Sequence, residues 1–549
     1  MVKEMTSFEV LERDLLGRIG KLKTKAGTVE TPLLLPVLNP RIQIISPDEM
    51  KRDFGCEALI TNAYLLKKNF GEEVKTRGIH DFLKFDKAIV TDSGAYQILK
   101  YGEVETTPEE IASFEEEIDT DIAVILDVPT GWNSKRMIAE YTVKETLRRA
   151  RITLNSLTRQ DILWVGPVQG GNHLDLVAYS AVEIGKMPFQ IYALGSPTQV
   201  MERYLFNTLM DMILTAKKNL PMEKPLHLFG AGHPFMLAFA VATGCDIFDS
   251  AAYALYTKQW RYMTEYGTFR LENLKYFPCS CRICSNYTPK ELRETPLSER
   301  RKLLAWHNLK TCFVEIKRIK QAIREGRLWE LLELRARSHP SLLQALRSLI
   351  NYKEYIEEHS PISKERGIFY FDSTGLARPE IVRYSMRLRN WKPPEKYRVL
   401  VLLPQPSSKP LHRSREYKRF LKLINETLGE VLNQVHICAY TAPFGIIPLE
   451  LDEIYPLSQH ESALPSDLET IEYAAKQIED YISNLKHMYK VVVLSYNETN
   501  LGRRISEACR KVCSKSGIAF VQSISEDKYW SKKSLENIVG KISEAINDK

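Results

Sequence analysis

The segments AIVTDSG (88–94) and IAVILDV (122–128) are two short apolar runs, and the residues between them have the character of a helix. The same alternation extends over the first 255 residues and is typical of a parallel sheet whose strands are connected by helices. We predict eight strands, which are LLLPVLN (33–39), ALITN (58–62), AIVTDSG, IAVILDV, ILWVGPVQG (162–170), FQIYALG (189–195), PLHLFGAG (225–232) and DIFDSA (246–251).

Eight strand–helix units over this length favour a closed α/β barrel, the (β/α)8 or TIM barrel. A doubly wound open sheet is the competing fold, because it has the same local alternation. We predict four parts, namely a barrel at 1–275, a metal-binding subdomain at 276–310, a helical extension at 311–390 and a smaller α/β domain at 396–549. The Pro-containing stretch RNWKPPEKY (389–397) predicts a linker before the last domain.

A basic stripe lies on the helix predicted at 313–327, where Lys317, Lys320, Arg324 and Arg327 share one face. The stripe is either an ordinary solvated face or a surface that contacts phosphates. The whole chain has 76 Lys and Arg against 69 Asp and Glu, a net charge of +7. This balance is compatible with a nucleic-acid partner and does not require one.

Cysteine usage and hydropathy indicate the compartment in which the protein is expected. Nine cysteines in 549 residues do not form a disulfide scaffold, and three of them lie within six residues. The sequence contains no apolar run long enough to cross a bilayer, and its first residues are charged, without the apolar stretch of a signal peptide. We therefore expect a soluble cytoplasmic protein with no membrane partner.

Polar residues follow the predicted strands at their carboxyl ends, where the active sites of such barrels lie. They include Asp92, Asp127, Gln169, Gly195, Phe229 and Asp249. Three carboxylates could hold a divalent metal, and any single Asp could simply cap the next helix. A carboxamide and an aromatic ring among them better suit a flat, hydrogen-bonding ligand such as a purine-like base. A carboxylate beside a C–N glycosidic bond could then attack the anomeric carbon while a second carboxylate moves the proton.

A metal site is the strongest local signal. Cys279, Cys281 and Cys284 are followed by His307, and three thiolates with one imidazole complete a tetrahedral zinc site. Because no position is left for water, we predict one structural Zn²⁺. The other cysteines are expected to be buried small hydrophobes; these are Cys56, Cys245, Cys312, Cys438, Cys509 and Cys513.

Residues 8–345 resemble the archaeal tRNA-guanine transglycosylases. The motifs are ETPLLLPVLNP, TDSGAYQ, LDVPTG, VQGG, HLFGAGHP, FDSAAYALYTKQWRYMT, FPCSCRIC and RARSHP. The resemblance implies a pentosyltransferase that exchanges guanine 15 of tRNA for 7-cyano-7-deazaguanine, on the route to archaeosine. It also implies a nucleophile at Asp249, a general acid/base at Asp92, and base recognition by Asp127, Gln169 and Gly195. Tyr96 and Phe229 would sandwich the base, and the zinc ligands would be the four residues named above.

The sequence departs from this family in two respects. The usual Gly-Gly after strand six is Gly195-Ser196 here, and from the residues after the barrel we expect no PUA-like domain. Such domains often help these enzymes reach a buried position 15, so a separate PUA-type RNA-binding partner, or the last domain itself, would take that role. Related enzymes usually dimerise through the zinc subdomain, and the resemblance therefore implies a homodimer.

The C-terminal domain resembles, more weakly, the additional domain of archaeosine synthase, through APFGIIPLELDEIYP (442–456). In PQPSSKPLHRSREY (404–417), Gln405 stands where that family has a Cys, and Leu411 and Tyr417 replace a Tyr and a His. Without the thiol, we expect a structural or RNA-binding role. Two alternatives to the transglycosylase remain, an amidotransferase paralogue of archaeosine synthase and a non-catalytic tRNA-binding subunit.

Overall fold

The computed structural model describes residues 7–95, 106–525 and 529–547. The chain forms two compact units, Met1–Ser348 and Leu349–Lys549. The second unit therefore includes residues 349–390, which belong to the predicted helical extension. The boundaries of the four predicted parts stay a prediction. Among the described residues, no helix is long and apolar enough to cross a membrane.

The first unit begins with an antiparallel sheet that the sequence analysis did not predict. Its strands are β1 (Phe8–Asp14), β2 (Gly17–Thr24) and β3 (Gly27–Thr31). Arg18 on β2 is buried and donates from Nε to Asp246 at 2.7 Å. Asp246 lies directly before the last barrel strand and also accepts from the backbone N–H of Leu226. This sheet therefore covers the amino-terminal end of the barrel.

Eight parallel strands form the second sheet of this unit. They are β4 (Leu33–Pro36), β5 (Ala58–Asn62), β6 (Ala88–Asp92), β7 (Ile122–Val124), β8 (Leu163–Val168), β9 (Ile191–Leu194), β10 (Leu226–Leu228) and β11 (Ile247–Ser250). The first strand, β4, pairs in parallel with the last strand, β11. A parallel bridge between Val37 and Ile60 joins β4 to β5. The sheet closes on itself, so the predicted barrel is confirmed and the open sheet is wrong.

Apolar side chains fill the barrel and connect it to the surrounding helices. Leu35, Ile60, Val90 and Val165 are among its buried interior residues. The helices of the barrel are Pro47–Phe54, Ala63–Arg77, Ile79–Leu83, Pro108–Glu117, Arg136–Ser156, Leu174–Gly185, Thr198–Glu202, Phe206–Asn219, Pro234–Ala242 and Ala252–Leu255. Helices cover the outer face of these strands and packed side chains fill the barrel interior, so the strands are buried on both faces and read as continuous apolar runs, which is why the sequence showed them.

The rest of the first unit follows the barrel. It contains β12 (Arg261–Thr264), β13 (Gly267–Arg270) and the helices Arg282–Asn286, Pro289–Glu294, Leu297–Arg324, Leu328–Ala336 and Pro340–Ser348. The helix predicted at 313–327 is the second half of a longer helix that ends at Arg324, so Arg327 of the predicted stripe lies outside it, directly before the next helix. Two cations of its basic stripe pair with the first sheet, Lys320 with Glu30 at 2.9 Å and Arg324 with Glu12 at 2.9 Å.

In the second unit, β14 (Ile368–Tyr370) pairs with β18 (His460–Ser462). The other strands are β15 (Val399–Pro404), β16 (Val435–Thr441), β17 (Gly445–Pro448), β19 (Val491–Tyr496) and β20 (Ala519–Ile524). They form a mixed five-stranded sheet in the order β17-β16-β15-β19-β20. The helices are Lys353–Glu358, Pro379–Asn390, Arg415–Leu428, Leu468–Asn484, Asn500–Ser516 and Lys532–Asn547. Only β17 is antiparallel to its neighbour in this sheet, which confirms the predicted second α/β architecture.

Candidate active site

The structure brings most of the predicted site residues to one end of the barrel. Asp92 ends β6, Asp249 lies in β11, and Asp127, Gln169, Gly195 and Phe229 follow the carboxyl ends of β7, β8, β9 and β10. Carboxyl ends of parallel barrel strands share one face, so these side chains surround a common mouth. Tyr96 lies outside the described residues.

Asp249 is held by two hydrogen bonds that reach the same carboxylate oxygen. His227 donates from Nε2 to Oδ1 at 2.9 Å, and the backbone N–H of Gly230 donates to Oδ1 at 2.8 Å. The Asp249 side chain keeps 14% of its surface exposed, whereas that of His227 keeps 2%. The Asp249 carboxylate is therefore held in place by two donors to Oδ1, and part of its surface stays accessible at the mouth of the barrel.

Asp92 is the second carboxylate of the mouth. Asn62 donates from Nδ2 to its Oδ2 at 3.2 Å, while the Oδ1 of Asn62 caps the next helix by accepting from the N–H of Leu65. Burial first, and then the negative charge of Asp249, raises the pKa of Asp92 to about 6. Asp92 is thus suited to give and take a proton near neutral pH.

Asp127 and Gln169 form a buried pair beside these carboxylates. Gln169 accepts from the backbone N–H of Thr130 at 2.8 Å through Oε1, so its Nε2 is the donor to Oδ2 of Asp127. Burial first, and then the charge of Asp92, raises the pKa of Asp127 to about 7, although the bond from Gln169 opposes this shift. The pair presents a fixed acceptor and a fixed amide, a pattern that can read the edge of a base.

Gly195 has no side chain, and the Gln169 amide occupies the space that a side chain at position 195 would fill. A Cβ at position 195 would lie 2.1 Å from Nε2 of Gln169, so any side chain there would displace the Gln169 amide from its present position. The next residue, Ser196, has φ of 60°, a left-handed conformation that favours glycine. The departure from Gly-Gly is therefore a serine in a glycine-like conformation, whose Oγ lies 3.4 Å from Oε1 of Gln169.

Phe229 is partly buried and packs against the apolar interior of the barrel. Its ring centroid lies 4.6 Å from that of His227, with the ring planes at 66°. This contact places an aromatic face near the residue that holds Asp249. A stacking role for Phe229 and Tyr96 stays a prediction.

The four predicted metal ligands converge. The ligand atoms of Cys279, Cys281, Cys284 and His307 all lie within 4.8 Å of one another. His307 directs Nδ1 toward the thiols, at 3.4 Å from Sγ of both Cys281 and Cys284, and its Nε2 is 2.9 Å from the carbonyl of Met263. The carbonyl fixes the ring orientation, as partners of metal-ligating histidines commonly do. These residues can hold one metal ion.

The remaining six cysteines are buried, as predicted. In the second unit, Gln405 follows β15 and its Oε1 lies 3.2 Å from Nε2 of His460. Burial raises the pKa of the Cys438 and Cys509 thiols well above their ordinary value. Among the described residues of this unit no exposed thiol is present, which removes the usual nucleophile for chemistry on a nitrile.

His227, Asn62 and Thr130 contact the site and were not among the predicted residues. His227 had a signal in the sequence, because it is the only polar side chain in the buried strand LHL (226–228). Asn62 ends its strand in the same register as Asp92 on the next one. The backbone N–H of Thr130 had no sequence signal, since any residue type supplies that donor.

Comparison with known proteins identifies relatives over most of the chain. A family model described as queuine tRNA-ribosyltransferase matches residues 14–341, and one described as a domain of unknown function matches residues 381–542. A tRNA-guanine(15) transglycosylase of Pyrobaculum aerophilum is 45% identical over 83% of this chain and 90% of its own length. Proteins of the same name from Methanocaldococcus jannaschii and Sulfolobus acidocaldarius are 42% and 41% identical, over 87% of this chain in both cases and 72% and 93% of their own lengths.

Proposed function

The chain belongs to the queuine tRNA-ribosyltransferase family and is a pentosyltransferase; from that premise we propose that it exchanges guanine 15 of tRNA for 7-cyano-7-deazaguanine. The names of the relatives support the position. The observation that carries the proposal is the pair of carboxylates, because the charge of Asp249 is close enough to raise the pKa of Asp92. The product is the precursor of archaeosine.

The proposed reaction uses the two carboxylates in turn. An oxygen of Asp249 attacks C1′ of nucleotide 15, a C–O bond forms, and the C1′–N9 bond breaks with its electron pair passing to guanine. Protonated Asp92 gives its proton to the departing base. The incoming base then loses its N9 proton to ionised Asp92 and attacks C1′, which breaks the ester and restores Asp249.

Recognition of both bases is assigned to the buried pair. Ionised Asp127 would accept from the ring N–H and exocyclic amine of the base, Gln169 and the backbone at Gly195 would bond its carbonyl edge, and Phe229 and Tyr96 would stack on its faces. Guanine and 7-cyano-7-deazaguanine share this edge and differ at position 7. The same donors and acceptors can therefore hold either base during the exchange.

The proposed cofactor is one structural Zn²⁺, bound by Cys279, Cys281, Cys284 and His307, since three thiolates and an imidazole suit a closed tetrahedral zinc site. The proposed partners are tRNA, the deazaguanine base and a second copy of the chain at the metal subdomain. A separate PUA-type RNA-binding protein, or the second unit itself, would give access to position 15. The proposed location is the cytoplasm, where thiols stay reduced.

The test follows labelled 7-cyano-7-deazaguanine into tRNA with the protein and its Asp249→Asn, Asp92→Asn and Asp161→Asn variants. Asp161 is an exposed carboxylate that pairs with Arg159 directly before the amino end of β8, opposite the mouth, and serves as the matched control. We expect incorporation by wild type and Asp161→Asn, none by Asp249→Asn, and none into a tRNA with adenine at position 15. Absence of incorporation by folded, tRNA-binding wild type would refute autonomous exchange and favour a binding-only subunit.

A further inference from the structure

His227 meets Asp249 through a contact between two adjacent barrel strands. His227 is on β10 and Asp249 is on β11, and Nε2 of the imidazole donates to Oδ1 of the carboxylate at 2.9 Å. This bond requires the proton of the ring to be on Nε2. Both residues are part of the rigid barrel wall, so the contact does not depend on a loop.

The second donor to Oδ1 is the backbone N–H of Gly230, at 2.8 Å. Gly230 has φ of 69°, and a Cβ there would lie 2.6 Å from Oγ1 of Thr198. Glycine at this position is what allows the N–H to point at the carboxylate. Oδ1 therefore has two donors, and no described residue donates to Oδ2 of Asp249.

Apolar walls keep the imidazole in this position. His227 lines a small cavity inside the barrel, and the other seven lining residues are aliphatic: Leu33, Leu35, Val90, Ile122, Val165, Ile191 and Ile247. These walls offer the ring no competing hydrogen-bond partner. The side chain is 2% exposed, so bulk water does not compete for Nε2.

We infer that His227 is a positioning residue that, with the N–H of Gly230, fixes Oδ1 of Asp249 and leaves Oδ2 as the oxygen that attacks C1′. The inference rests on the proposed function. When Oδ2 forms the ester, Oδ1 becomes the ester carbonyl oxygen and keeps both donors. The carboxylate then needs no rotation between the two halves of the exchange, which is the advantage of a preorganised group.

The experiment measures formation of the covalent protein–tRNA adduct in a single turnover, without incoming base, on denaturing gels. It compares wild type with His227→Gln, whose Nε2 amide can still donate, and His227→Met, of similar size and without a donor. Loss of one preorganised donor should slow the adduct about 100-fold in His227→Met. His227→Gln should recover to within about tenfold of wild type, and the tRNA concentration that gives half the maximal rate of adduct formation should change less than about twofold in both variants.

The outcomes separate this inference from the function on which it rests. Absence of adduct with wild type refutes the proposed function. An adduct formed as fast by folded His227→Met as by wild type overturns the positioning role. A structure of the wild-type adduct is independent of how the variants fold: an ester at Oδ2 supports the inference, and an ester at Oδ1 overturns it.

Discussion

Replacing Asp127 with asparagine should stabilise the first unit at pH 8, although Asp127 belongs to the proposed base-reading set. Burial, followed by the charge of Asp92, raises the pKa of Asp127 from 3.8 to about 7 in the folded protein. In the unfolded chain the same carboxyl group ionises at a lower pH. Ionisation of Asp127 therefore opposes folding, and a neutral amide of the same shape removes the opposition.

The size of the expected stabilisation follows from the shift in the pKa of Asp127. One pKa unit corresponds to about 1.36 kcal/mol, so a rise from 3.8 to about 7 makes ionised Asp127 unfavourable by about 4 kcal/mol above pH 7. The unfavourable contribution is absent below pH 3.8, grows as the pH rises toward about 7, and is constant above it. An unfolding entropy of about 2.1 cal/mol/K per residue over 348 residues converts about 4 kcal/mol into roughly 6 °C.

The assay is thermal unfolding at pH 5 and pH 8 of wild type, Asp127→Asn and the control Asp86→Asn. Asp86 is exposed, and its hydrogen bond with Lys51 lowers its pKa, so the control should not raise Tm at pH 8. For Asp127→Asn we expect a Tm increase of roughly 6 °C at pH 8 and less than half of that at pH 5. A Tm that falls at pH 8, or rises equally at both pH values, would refute the reasoning.

Four further outcomes are expected. The kcat/KM for the incoming base should fall as the pH drops below about 7, since protonated Asp127 no longer accepts from the base; a flat profile from pH 5 to 8 contradicts this. Gly195→Ala should lower exchange at least about tenfold because its Cβ collides with Gln169, and retained kcat/KM would contradict the close contact. Ser196→Gly should keep exchange and raise stability by up to about 1 kcal/mol in urea unfolding, whereas a loss of stability argues against backbone strain. Cys281→Ser should lose bound metal, measured by elemental analysis, and lower Tm; an unchanged metal content contradicts the ligand set.

The amino-acid sequence predicted the barrel strands because both faces of each strand are buried. The run LLLP (33–36) is apolar along its whole length, and in AIVTD (88–92) the polar Thr91 and Asp92 follow the apolar residues. The first sheet was missed since its strand FEVLERD (8–14) alternates buried and exposed residues and carries several charges. A short charged strand of this kind resembles a surface loop until its partner strands are known.

The sequence by itself determined the number and direction of the barrel strands, the polar residues at their ends and the four Cys and His residues that could hold a metal ion. These features can be recognised from the order of neighbouring residues along the chain, because the end of an apolar run and the spacing of cysteines are both local properties of the sequence. Closure of the barrel between β4 and β5, the two hydrogen bonds to Oδ1 of Asp249, and the raised pKa values of Asp92 and Asp127 came only from the tertiary structure. Each depends on burial and on distances between residues far apart in the chain, as in the buried contact of Arg18 with Asp246, 228 positions away.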